Sequence, residues 1–100
     1  MKTLRLELYV MGHSPKSRAA LDNLRRVCER RLAGHYDLQV IDVIEQPDAA
    51  EAANVVATPA LLRRGPPPLV RVVGDLSDRL ALLHALGLDP EERERNGTDG

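Results

Sequence analysis

Four prolines between Thr58 and Val73 decide where this chain can pair as a sheet. A proline has no N–H to give and holds φ near −65°, so it interrupts a ladder. The residues read Ala57-Thr58-Pro59-Ala60-Leu61-Leu62, then Gly65-Pro66-Pro67-Pro68, then Leu69 to Val73. Gly74-Asp75-Leu76-Ser77-Asp78 follows. The apolar pieces between the prolines are therefore short strands, Ala60 to Leu62 and Leu69 to Val73. Only Arg63 to Pro68 links them, which predicts an antiparallel hairpin with a stiffened turn. Gly74 reads as a turn and Asp75 as the N-cap of a final helix. Leu76, Leu80, Leu83 and Leu86 give that helix one apolar face, and Gly87 ends it.

The first half is patterned differently. Leu4, Leu6, Leu8 and Val10 alternate with Thr3, Arg5, Glu7 and Tyr9, which predicts a strand with one buried face. Gly12-His13-Ser14-Pro15 breaks it. Ser14 suits an N-cap and Pro15 the first helical position. Leu21, Leu24, Val27, Cys28 and Leu32 then recur at helical spacing, and Gly34 terminates the helix. Leu38, Val40, Ile41, Val43 and Ile44 make a second strand. Its later half is apolar on both faces, as in a central, covered strand. A right-handed parallel crossover joins the two strands. Pro47 to Val56 reads as a short, Ala-rich helix. The order β-α-β-α-β-β-α is that of a single thioredoxin-like α/β domain over residues 1–88. Residues 89–100, charged and then Gly-containing, are expected to form a mobile tail.

Composition narrows the chemistry. A chain of 100 residues buries about 60–65% of its unfolded surface. It has no Phe or Trp and two Tyr, so its core must be Leu, Val, Ile and Ala. A net charge of −1 and the lack of stacking aromatics argue against nucleic acid. No apolar run approaches the roughly 20 residues of a membrane span. No secretory signal is visible, and a cytoplasmic location is expected. The single cysteine excludes an internal disulfide. Redox enzymes of the thioredoxin type place a reactive cysteine at the first helix N-terminus, where the dipole lowers its pKa. Here that position reads Gly12-His13-Ser14-Pro15-Lys16-Ser17, and Cys28 falls in register with the core leucines. His13, His35 and His84 are scattered over three elements, without partners at ligand spacing. No phosphate-cradling glycine motif occurs. The basic residues Arg25, Arg26, Arg30 and Arg31 read chiefly as a solvated helix face. No catalytic residue, metal or cofactor is expected.

Several of these segments together resemble the circadian clock protein KaiB family. They are Leu8-Tyr9-Val10, Gly12, Ser14-Pro15 with Ser17, Tyr36-Asp37-Leu38 and Val40-Ile41-Asp42-Val43. Ala57-Thr58-Pro59, Pro66-Pro67-Pro68 and Gly74-Asp75-Leu76-Ser77-Asp78-Arg79 complete the set. The similarity runs from about Leu4 to Leu86. It implies a non-catalytic regulator that binds a KaiC-like hexameric ATPase, with KaiA and a thioredoxin-like sensor kinase as further partners. It implies two folds: a tetrameric ground state with a rearranged C-terminal half, and a thioredoxin-like monomer that binds the ATPase. It implies a dimer or tetramer in the free state. In thioredoxin-like proteins the residue before the third strand is often a cis proline, which makes Thr58-Pro59 a candidate; the alternative is a trans proline that starts an edge strand. By the family's pattern Gly74 and Asp75 form the corner that biases the two folds. The Arg- and Ala-rich composition suggests a genome that need not contain KaiA. A timer or stress-response role then stands beside a self-sustained clock. Two alternatives have other signatures: a glutathione- or thiol-dependent enzyme using Ser14, and a sensor or adaptor module docking on a histidine kinase.

Overall fold

The computed structural model describes residues 2–89. In order these form β1 (Leu4–Val10), α1 (Pro15–Arg31), β2 (Tyr36–Asp42), α2 (Pro47–Ala52), β3 (Ala60–Gly65), β4 (Val70–Val73) and α3 (Arg79–Ala85). The order is the expected one. The tail expected over 89–100 lies, from residue 90 on, outside the described residues.

The four strands make one sheet in the order β2-β1-β3-β4. β1 and β2 are parallel, with Leu6 opposite Leu38 and Leu8 opposite Val40. β3 runs antiparallel to both β1 and β4. The hairpin is therefore as predicted, but its first strand reaches Gly65, so the link runs from Pro66 to Leu69 and not from Arg63 to Pro68. Leu69, expected to open the second strand, lies just before it and is half exposed.

Two cores sandwich the sheet. On one face, Leu4, Leu6, Leu8 and Val10 of β1 meet Leu24, Val27 and Cys28 of α1 and Leu82 and Leu83 of α3. On the other, Tyr9 packs with Ile41, Ala60 and Leu62 under Ala50 and Ala53 of the α2 segment. The second cluster corrects two expectations. β1, not β2, is the covered central strand, so the Tyr9 face is buried as well. β2 is an edge strand: Val40 is exposed, and Val43 and Ile44 fall beyond its end. The apolar run misled because it crosses the strand's boundary.

α1 begins as its sequence dictates. Ser14 caps it, with Oγ accepting the Ser17 N–H at 3.3 Å, and Pro15 stands in the first turn. Past its end, Gly34 takes φ +78° and the His35 N–H returns to the Leu32 carbonyl. α2 is shorter than expected, ending at Ala52 with Asn54 at φ 57°. Arg71 of β4 donates to the Ala53 and Asn54 carbonyls at 3.1 and 3.3 Å, satisfying groups that the helix end leaves open. Among the described residues no helix is long and apolar enough to cross a membrane.

α3 starts later than expected. Its cap is Asp78, whose Oδ1 accepts the Ala81 N–H at 3.1 Å, not Asp75. The reason is Leu76, which adopts φ 62° and is buried before the helix begins. Of the four leucines placed by spacing on the apolar face, Leu76, Leu83 and Leu86 are buried and Leu80 is exposed; Leu82 and Ala85 complete the buried face. Gly87, at φ +72°, follows the helix end as expected.

Candidate functional site

In a thioredoxin-like fold, chemistry would sit where α1 begins, because the helix dipole and free N–H groups favour an anion there. Here that place is occupied by a closed hydroxyl network. Ser14 Oγ accepts the Ser17 N–H and donates to Ser17 Oγ at 2.9 Å. Ser17 Oγ, in a side chain 2% exposed, also accepts the Met11 N–H at 3.0 Å. Asp42 Oδ1 binds the Gly12 and Ile44 N–H groups at 3.1 and 2.9 Å, fixing the loop from the side of β2. His13 is exposed and makes no hydrogen bond to Ser14.

Cys28 is fully buried, and that burial, with a smaller push from Glu29, drives its thiol up to about 12. It cannot supply a thiolate near neutral pH. Among the described residues, no group of three His, Cys, Asp or Glu side chains could hold a metal ion.

The second constellation joins Thr58-Pro59 to the corner before α3. The Thr58–Pro59 bond is cis, as are Gly65–Pro66 and Pro67–Pro68. The Pro59 carbonyl accepts the Gly74 N–H at 2.8 Å, so Pro59 and Gly74 lie side by side. Gly74 has φ +122°, with open space where a Cβ would stand. Asp75 Oδ1 accepts the Ser77 N–H at 3.0 Å, and hydrogen bonding to Ser77 holds the carboxyl below its usual value. Pro66, Pro67 and Pro68 lie apart from this corner, at the far end of the β3–β4 hairpin. Their loop is tied down by Arg63, whose Nη2 donates to the Pro68 carbonyl at 3.2 Å. The structure thus brings Pro59, Gly74 and Asp75 together and leaves the three-proline turn separate.

On the α2 face, a charge-assisted chain escaped the sequence reading. The Tyr9 hydroxyl donates to Glu7 Oε1 at 2.8 Å, and Arg64 Nε donates to the same oxygen at 2.9 Å. Burial, then the hydrogen bond to Glu7, raises the Tyr9 phenol, against the opposing effect of Arg64. Only the register, with Glu7 opposite Leu62, brings these residues within reach.

The KaiB domain family matches residues 7–88. This chain belongs to the KaiB family. The circadian clock oscillator protein KaiB of Prochlorococcus marinus strain MIT 9312 is 49% identical over 88 residues, covering 88% of this chain and 82% of that protein. The circadian clock protein KaiB3 of a Synechocystis species is 40% identical over 91 residues, covering 91% and 89%. Among solved structures, the N-terminal domain of Synechococcus elongatus SasA has a TM-score of 0.70 at 33% identity, over 86% of this chain and 85% of that one. Mitochondrial thioredoxin 3 of Saccharomyces cerevisiae has a TM-score of 0.65 at 16% identity, over 81% and 76%. That last likeness shows the fold alone. The KaiB-family chain is thus a thioredoxin-like α/β domain, and its named relatives are circadian clock proteins.

Proposed function

We propose that this KaiB-family chain is a non-catalytic regulator that binds a KaiC-like hexameric ATPase in a clock, timer or stress-response system of the cytoplasm. One observation carries the non-catalytic part of the reading. The α1 N-terminus, where a thioredoxin-like enzyme would hold its nucleophile, is spent on capping: Ser14 and Ser17 bind each other and nearby backbone. The glutathione- or thiol-dependent alternative needs Ser14 free, and its hydroxyl is engaged as both donor and acceptor. Family membership supports the ATPase as partner, with KaiA as a further partner sequestered in the complex and a thioredoxin-like sensor kinase as a competitor for the ATPase. The likeness to the SasA domain also supports the adaptor reading, in which this chain docks on a histidine kinase; capture on the kinase alone would favour it.

The same reading assigns Gly74 and Asp75 to the corner that biases two folds, the other being a dimer or tetramer of the free protein. A small core, to which the second half of the chain supplies no aromatic anchor, leaves room for two packings close in free energy. Gly74 takes a φ that an L side chain adopts only with strain. Two measurements test the proposal together. Capture of the purified chain on the immobilised ATPase, with ATP present, should succeed. A thiol-transfer assay with glutathione should show no turnover. Turnover abolished by Ser14→Ala, with no capture, would replace the regulator by the enzyme.

A further inference from the structure

A shallow groove of about 140 Å3 separates α1 from the chain leading into α3, and Asn23, Arg26, Val27, Leu76 and Ser77 line it. Leu76, on its far wall, has φ 62°, and Gly74, two residues before it in the chain, has φ 122°. Glycine tolerates such values. A leucine does not, because its Cβ crowds the following carbonyl oxygen. Leu76 is nevertheless 5% exposed and belongs to the larger core cluster. Its backbone must be held there by its surroundings.

The bonds from Asp75 to Ser77 and from Asp78 to Ala81 lie within the corner and the start of α3, and would move with them. Two bonds reach outside. One is the Gly74 N–H to the Pro59 carbonyl at 2.8 Å. The other is Asn23 Nδ2 to the Asp75 carbonyl at 2.9 Å, from a helix 52 residues earlier in the chain. Arg26 Nη1 in turn donates to Asn23 Oδ1 at 3.2 Å. A guanidinium can only donate, so it must face the amide oxygen. That turns the amide nitrogen toward Asp75.

We infer that Asn23, oriented by Arg26, is a positioning residue: the latch by which α1 holds the Gly74–Asp78 corner in this conformation. The consequence for partner binding rests on the proposed role of that corner; the latch does not. Whatever loosens the amide-to-carbonyl bond frees Leu76 to leave the left-handed region, and α3 loses its fixed start.

The test is amide hydrogen exchange by NMR on the full chain, with no partner present. Asn23→Asp keeps size and the ability to meet Arg26 but removes the donor. Exchange at Ser77, Ala81 and Leu82 should then quicken by about fivefold, the scale of one net hydrogen bond. Leu6 and Leu8 of β1 should keep their wild-type rates. Asn23→Ala should match Asn23→Asp, and Arg26→Met should give a smaller change at the same three amides. Uniform acceleration that includes β1 would reduce Asn23 to general support and overturn the latch, as would unchanged rates at the corner. Because no ATPase is present, this outcome and the capture experiment succeed or fail separately.

Discussion

Burial governs the two most distinctive ionisable side chains. Cys28 stays a thiol throughout the neutral range because a thiolate there would lie in an apolar core. An alkylating reagent at pH 8 should leave the native chain unlabelled and label it at the rate at which it unfolds. Tyr9 tests the second core. Its phenol titrates higher when folded than its unfolded value near 10.0, so the folded state holds the proton more tightly. That contribution is complete below the unfolded value and is lost as pH rises through the folded one. As pH rises past the unfolded value, wild type should therefore lose stability more steeply than Tyr9→Phe in urea melts, and parallel curves would contradict the assignment. Cys28 was legible from its spacing with Leu21, Leu24 and Leu32. Tyr9 was not, because alternation says which residues share a face but not whether a second layer covers it. Nor was the chain from Tyr9 through Glu7 to Arg64, which exists only once β1 and β3 are in register.

Helix ends carry most of what can be tested at the level of elements. Removing the α1 cap with Ser14→Ala should cost about 1 kcal/mol in urea melts, the usual range for a lost N-cap. Truncating a fully buried contact of the same helix, Leu24→Ala, should cost about 2–5 kcal/mol, because a cavity is left behind. Gly74→Ala has a different cause. No atom obstructs the added methyl group, so its penalty is entirely in the backbone at φ +122°. It should shift the population away from this fold and weaken capture by the ATPase, and Asp75→Arg should act at the same corner. Unchanged NMR spectra and unchanged capture would remove the corner from the account. The element order was readable because Ser14-Pro15, Gly34, Pro47 and Gly87 punctuate it. The boundaries that failed share a local cause. Val43 and Ile44 are apolar beyond the end of β2, and Leu76 takes a conformation that leucine spacing cannot reveal.

For the whole molecule, a parallel pair and an antiparallel hairpin share the central strand β1, and helices cover both faces. That is a thioredoxin-like scaffold whose usual reactive position is closed by serine hydroxyls. The scaffold was legible because the prolines leave few places for strands; the partner is legible only through kinship. The most direct test is size-exclusion chromatography with light scattering, mixing the chain with the KaiC-like ATPase of its own organism and ATP, and sampling from minutes to hours. The account predicts a peak heavier than the ATPase hexamer that contains both proteins. Its growth over hours would mean that the binding fold is a minor state captured by the partner, and its immediate appearance that this fold already predominates. Two separate peaks at every time and in every nucleotide would contradict the central claim and leave a thioredoxin-like domain with another partner.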